Sequence, residues 1–392
     1  MIESLIVYST LCAIMAICGA IAAHKEAPYA ANSGIYENNK RFLLQPEIIF
    51  LIAAFTFVFG CRWGVGVDYF HYLYLFQHEF YDTERIEPLF KGISAFLSRS
   101  GFHFAFFFGL WALVEITLFY AAFRNYRFIF PLLAFFLIFG SCYMSMMNVI
   151  RQQVAACIFL FSLQYIEKKK IVPYLLCLFI AYQIHHSAII LVIAYPILRF
   201  RSDWFKSITL QIVIYAFCLF LNFHQSIVIE WIEAPFRWFT DTFNYGQYGY
   251  NILFIDSLND KNQFGRNTGL GIYTNILRIL PVLVLSKDMK KFYNSKFFDK
   301  IYSLWFVYVS FGLAVSDSIV LMRPFVYLAD LQPVMMAFFC YYCFKQKKAL
   351  YHIIAIGIML IYIALFINII SYGNVNTSAF TFFWQHEFNI AT

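Results

Sequence analysis

The stretch IVPYLLCLFIAYQIHHSAIILVIAYPIL, residues 171–198, decides the architecture. It holds no Asp, Glu, Lys or Arg, yet Lys168, Lys169 and Lys170 precede it and Arg199 and Arg201 follow it. Lys and Arg concentrate in the cytoplasmic loops of membrane proteins, so both ends belong on the cytoplasmic side. The polar run from Gln183 to Ser187 breaks the apolar sequence in its middle. The spacing therefore predicts a helical hairpin over 171–198, with His185, His186 and Ser187 at its tip. Two legs of about 13 residues, rising about 1.5 Å per residue, reach about 20 Å into an apolar layer about 30 Å thick. The tip then lies in the outer half of the membrane, where non-helical backbone must line a cavity walled by protein.

The rest of the chain agrees with a membrane reading. Of 392 residues, 61% are hydrophobic and 13% charged, with 49 Phe and 28 Tyr. The mean hydropathy is +0.66. Lipid solvates such apolar surface directly and requires only that backbone polar groups pair within helices. Apolar segments fall near 2–23, 47–61, 102–123, 128–148, 149–166, 171–198, 207–224, 270–286, 301–320, 324–344 and 349–372. The expected fold is an all-α, polytopic integral membrane protein with about eleven hydrophobic segments, one of them the hairpin. The chain reads as a single transmembrane domain over 1–392, with a larger external loop at 225–268 that carries short helices.

Orientation follows from six basic clusters: Lys25/Lys40/Arg41, Arg124/Arg127, Lys168–Lys170, Arg199/Arg201/Lys206, Lys287–Lys300 and Lys345–Lys348. Placing all six in the cytoplasm puts the N-terminus, residues 62–101, the 225–268 loop and the C-terminal tail outside. The first span has neither a basic n-region nor a small-residue cleavage site, so it is expected to be retained. All nine Cys lie in or beside apolar segments and read as small hydrophobes. Cys340 and Cys343 lack further ligands at metal spacing, and no phosphate-loop, dinucleotide or serine-hydrolase motif occurs. No metal, no cofactor and no nucleic acid are expected.

Four Arg residues break the positive-inside pattern at the greatest cost. Arg62 closes one apolar segment, Arg151 opens another in NVIRQQVAA, Arg278 lies within TNILRILPV, and Arg323 opens VLMRPFVYL. One reading has Arg62 and Arg323 snorkelling to headgroups and Arg278 paired with an acid. The sharper reading has them converge on an anion, because guanidinium forks match phosphate oxygens.

Acids are scarce on the same side. Asp68 in GVGVDYFHY can hold Arg62 or Arg151 in place by a salt bridge, while Glu87 in RIEPLF either caps the helix that Pro88 begins or takes part in proton transfer. His185 is the first candidate for a general base, with Asp68 and Glu87 second. Gln152 and Ser187 flank Arg151 and the His pair as glycan-binding candidates. In the 229–254 stretch, Trp231, Trp238 and Tyr248 read either as an interfacial aromatic belt or as platforms for sugar rings.

These motifs occur together in one known family. RWGVGVDYFHY resembles its R-x-x-x-G-x-D-Y-x-x-Y signature, EPLF its acidic-Pro-aromatic element, IRQQVA its R-Q-x-x-A and IHHSAII its H-x-S-A. By this resemblance the chain is similar to the EpsG/Wzy-like bacterial polysaccharide polymerases over residues 50 to 345, with no family pattern in the tail NTSAFTFFWQHEFN. The resemblance implies a glycosyltransferase of the GT-C-like type in the bacterial inner membrane. It would move a growing glycan from undecaprenyl pyrophosphate to the non-reducing end of the next lipid-linked repeat. Arg62, Arg151, Arg278 and Arg323 would hold the pyrophosphate, His185 would match the signature His, and His186 a variable site. Implied partners are the lipid-linked donor and acceptor, membrane lipids, a chain-length regulator and a flippase. Ligation of O-antigen, polysaccharide transport without catalysis and acyl transfer are the competing readings.

Overall fold

The computed structural model describes residues 2–26, 42–81, 86–224, 231, 269–316, 319–372 and 380–385. They fall into two compact units, 1–200 with 333–392, and 201–332. In chain order the first unit begins with α1 (Ile2–Glu26), α2 (Pro46–Gly60), β1 (Arg62–Trp63), α3 (Tyr69–Gln77) and α4 (Pro88–Arg99). It continues with α5 (Phe104–Ala122), α6 (Phe130–Phe139), α7 (Cys142–Asn148), α8 (Ile150–Glu167), α9 (Ile171–Ile184), a 3-10 stretch (His186–Ile193) and α10 (Ala194–Phe200). The second unit holds α11 (Ile208–Phe223), α12 (Gly269–Val284), α13 (Ser286–Tyr293), α14 (Lys296–Val307) and α15 (Ile319–Ala329). Most of α16 (Leu331–Lys345), then α17 (Ala349–Tyr372) and β2 (Thr381–Phe382), return to the first unit.

Among the described residues three helices, Ile2–Lys25, Phe104–Ala122 and Ala349–Ser371, are long and apolar enough to cross a membrane alone. Two bent pairs, Arg127–Phe139 with Cys142–Asn148 and Leu321–Ala329 with Leu331–Lys345, pass the same test together, and five shorter apolar helices accompany them. Large apolar side chains also remain uncovered along α9 and its return arm: Val172, Leu176, Phe179, Ile189 and Ile193. Such a surface suits lipid. The described chain is an all-α membrane protein.

Within the first unit the helices pack in the order α6, α1, α2, α5, α8, α9, each against the next. The α2–α5 crossing is close because Gly60 meets Gly109: a Cβ on Gly60 would stand 2.9 Å from the Gly109 Cα. Aromatic side chains pack α3 and α4 against α5, with Tyr69 stacked on Phe108 at 4.6 Å and Phe90 on Trp111 at 4.5 Å. Such offset aromatic pairs add to the burial of apolar area.

The hairpin over 171–198 is present. α9 ends at Ile184, His185 takes an extended conformation (φ −154°, ψ 110°), and the chain returns through the 3-10 stretch into α10. The arms run antiparallel: the Tyr174 hydroxyl donates to the Leu191 carbonyl at 2.6 Å, and the Tyr174 and Tyr195 rings lie 5.1 Å apart.

The second unit is held by a polar network and an apolar cluster. Lys290 donates to Asp203 at 2.7 Å and to the Phe205 carbonyl at 2.6 Å, and the Tyr302 hydroxyl donates to Gln211 at 2.5 Å. Cys218, Leu221, Ala314 and Val315 pack together, and Asn222 ties α11 to the Leu313 carbonyl at 2.8 Å.

Candidate active site

α2 stops at Gly60, and the chain turns outward through RWGVGVD before α3 begins. Gly66 lies at φ +110°, and a Cβ there would stand 2.6 Å from Asn148 Oδ1. Both facts demand glycine. The close approach serves a purpose, because Asn148 Oδ1 accepts from the Val67 amide at 2.6 Å and seats the loop on the joint between α7 and α8.

Arg62 makes the same joint rigid. Its Nε donates to the Val65 carbonyl at 3.1 Å, Nη1 to Phe59 at 2.6 Å and Nη2 to Met147 at 3.0 Å. The guanidinium lies over Phe108 at 4.5 Å, and the residue is only 1% exposed. This corrects the expectation that Arg62 holds phosphate. Its donors satisfy three backbone carbonyls at helix and turn ends, where an unpaired carbonyl is costly. The fork geometry that suits phosphate suits this task equally.

The group that does assemble is built on Glu87. Glu87 takes an extended conformation just before α4, which begins with Pro88 at its first turn. Its side chain makes no cap bond to its own helix. Instead, Oε2 meets Arg151 Nη1 at 2.6 Å, while Oε1 meets His185 Nδ1 at 3.0 Å and accepts from the His186 amide at 3.0 Å. Three separate motifs thus converge on one carboxylate. The Tyr72 hydroxyl, one turn into α3, lies 3.5 Å from Arg151 Nε.

The side chains of Glu87, Arg151 and His185 are 5, 26 and 21% exposed, so the carboxylate is sealed while its two partners stay partly accessible. Burial alone would favour a neutral Glu87. The hydrogen bond from His185, the Arg151 charge and the His186 amide outweigh burial and hold its pKa down to about 2. An ionised carboxylate only accepts hydrogen bonds, so His185 Nδ1 carries a hydrogen and, in the neutral ring, the lone pair is on Nε2. Asp68 is half-buried. Burial raises its pKa, against the charges of His71 and Arg151.

Gln152 is buried in α8 next to Arg151, and Ser187 follows the His pair in the 3-10 stretch. Arg278 and Arg323 belong to the second unit: Arg278 Nε donates to the Thr274 carbonyl of its own helix at 3.1 Å, and Arg323 is exposed on α15. Trp231 is exposed, whereas Trp238 and Tyr248 lie outside the described residues.

Two residues escaped the sequence reading. Glu115 is 1% exposed within α5, in Coulombic reach of Arg62. An acid in the otherwise uncharged run FAFFFGLWALVEITLFYAA was signal enough to find it. Tyr72 was written in the D-Y-x-x-Y spacing, which puts Asp68 and Tyr72 one turn apart on the same face.

A model of the EpsG family matches residues 48–384. No curated protein and no solved structure matches the chain. The match takes in every motif that meets at Glu87 and extends through the tail as far as Trp384, beyond the 50–345 expected from the motifs alone. The chain belongs to the EpsG family.

Proposed function

We propose that this chain is a polysaccharide polymerase, a membrane glycosyltransferase whose donor and acceptor are lipid-pyrophosphate-linked oligosaccharides. The observation that carries the reading is Glu87 bridging Arg151 and the hairpin-tip His185. It combines a general base of fixed tautomer with a guanidinium, the two groups such a transfer needs.

In the proposed step, the acceptor sugar hydroxyl attacks C1 of the donor glycan. The new C–O bond forms as the C1–O bond to pyrophosphate breaks, and the electron pair leaves on the phosphate oxygen. His185 Nε2 takes the hydroxyl proton. Glu87 balances the imidazolium that results, and Arg151 faces the charge developing on the leaving group. Asp68 orients the acceptor or Arg151, with Gln152 and Ser187 as glycan contacts. Arg62 acts by positioning. Arg278 and Arg323 remain phosphate-binding candidates on their own account, as do Trp231, Trp238 and Tyr248 for sugar rings. The membrane is the bacterial inner membrane, the glycan is on its outer side with both termini, and the lipid is undecaprenyl pyrophosphate. A flippase delivers the repeat, and a chain-length regulator limits the product.

Purified protein incubated with one defined lipid-linked repeat tests this directly. A ladder of products differing by one repeat, absent with His185→Ala, is the expected result. Transfer to a lipid A core but never to a second repeat would replace polymerisation by ligation. Absence of any transfer by the wild-type protein would refute both.

A further inference from the structure

The segment Phe380–Gln385 has no part in the chemistry just described, yet it pairs with the strand that leads into Asp68 and Tyr72. β2 pairs antiparallel with β1, Arg62 opposite Phe382 and Trp63 opposite Thr381. The Phe383 amide donates to the Cys61 carbonyl at 3.0 Å, and Thr381 Oγ1 donates to the Trp63 carbonyl at 3.2 Å. Behind this pairing the Phe380 amide donates to Ser4 Oγ at 2.8 Å, and the Phe380 ring rests on Tyr8 of α1 at 5.5 Å. Phe382 and Trp384 stack at 4.4 Å, each against Phe57 of α2, while the Phe383 ring meets His103 and Phe104 at the start of α5. Three helices therefore hold the segment in place.

β1 is a two-residue strand with one partner, and a ribbon so short has no stability of its own. Its backbone is held by the segment on one edge, by the α7–α8 joint on the other, through Arg62 Nη2 to Met147 and the Val67 amide to Asn148, and by the Tyr69 hydroxyl, which donates to the Arg62 carbonyl at 3.1 Å. Asp68 ends this bar, Tyr72 follows one turn later, and Arg151 begins α8 just past the joint. We propose that Phe380–Gln385 is a positioning strap: it locks the 61–68 bar and so sets Asp68 and Tyr72 against Arg151.

For its kinetic consequence the proposal rests on the polymerase reading. The bond to Cys61 can be removed in the full-length chain by Phe383→Pro, combined with Thr381→Ala to remove the side-chain bond to Trp63. Phe383→Ala keeps the amide and serves as control. Two measurements apply: amide hydrogen exchange over residues 62–68, and steady-state kinetics on a defined lipid-linked repeat. The double variant should exchange faster over 62–68, which reports local opening. Its kcat should fall by about 10- to 100-fold with KM little changed, because displaced groups lose their alignment rather than their affinity. Phe383→Ala should keep most of both properties, and the thermal midpoint should move little in either protein.

Unchanged exchange over 62–68 in the double variant would overturn the strap, as would faster exchange with wild-type kcat. A fall in kcat matched by a collapse of the thermal midpoint would make the segment merely structural. If the wild-type protein transfers nothing, the polymerase reading fails, and the exchange measurement still decides whether the segment locks the bar.

Discussion

A carboxylate that accepts from Arg151, the His185 ring and the His186 amide together must surrender those bonds to take a proton, which is why its pKa falls to about 2 despite burial. Glu87 is thus an orienting group, and His185 is left as the base. His185→Ala should lose about two to four orders of magnitude in transfer rate. His186→Ala should lose little, since its contact with Glu87 runs through the backbone. His186→Pro deletes that amide as well as the ring, so the difference from His186→Ala reports the amide, and the extended conformation of His185 already suits a following proline. About 1 kcal/mol, or a several-fold loss of activity, is expected from it. If transfer survives His185→Ala nearly intact, the assignment of the base is wrong.

Glu87→Gln leaves the Arg151 charge without its counterion and should cost about 1–3 kcal/mol, allowing for the partial exposure of Arg151. A depressed pKa stabilises the fold above the unfolded value, about 4.5, and the contribution is lost as pH falls towards 2. The gap in thermal midpoint between wild type and Glu87→Gln should therefore be constant from pH 7 to 5 and narrow between pH 4.5 and 3. A gap that widens with acid would contradict the ion pair. Arg62→Lys tests the other role an arginine takes here. One ammonium cannot serve three carbonyls spread around a planar fork, so the variant should lose about 2–4 kcal/mol of stability along with its activity.

At the scale of elements, what was legible in the sequence was whatever depends on solvent. Basic flanks and a polar break predicted the hairpin over 171–198, because lipid imposes both constraints on any sequence. The motifs around Asp68, Glu87, Arg151 and His185 marked the candidate site, three of whose residues the structure brings together, since charge in an apolar context is costly enough to stand out. Which partner each residue takes was not legible. Arg62 and Arg151 look alike as isolated Arg residues beside apolar runs, and only the register of α7 against the RWGVGVD loop directs one to carbonyls and the other to Glu87. The strap was illegible for a related reason: FTFFWQ has no helical period, and its partner strand lies more than 300 residues away. The glycines of the loop are the exception, because they report backbone geometry. Gly66→Ala forces a Cβ against Asn148 Oδ1 at an unfavourable φ. It should cost about 1–3 kcal/mol and unseat the Val67 amide, read as faster exchange at Val67 than at the core of α5.

For the whole molecule the basic clusters predict which side faces which compartment, without reference to the site. Each Lys or Arg carried across the bilayer centre costs about 2.5–3.5 kcal/mol on insertion scales, so six clusters outweigh any reasonable preference of the loops between them. The hairpin is the decisive case. Its arms return to the same face in the structure, Tyr174 bonding to Leu191, so Lys169 and Arg201 at its two ends must share a compartment. Ser100, exposed after α4 in the segment that carries Glu87, is predicted to face the other one. Single Cys replacements at Lys169, Arg201, Lys347 and Ser100 in intact cells, read against the parent protein with an impermeant maleimide, distinguish the arrangements. Labelling at Ser100 alone is expected. Labelling at Lys169 and Arg201 but not at Ser100 would invert the protein and place Glu87, Arg151 and His185 on the cytoplasmic side, where a lipid-linked repeat delivered to the outer leaflet never reaches them.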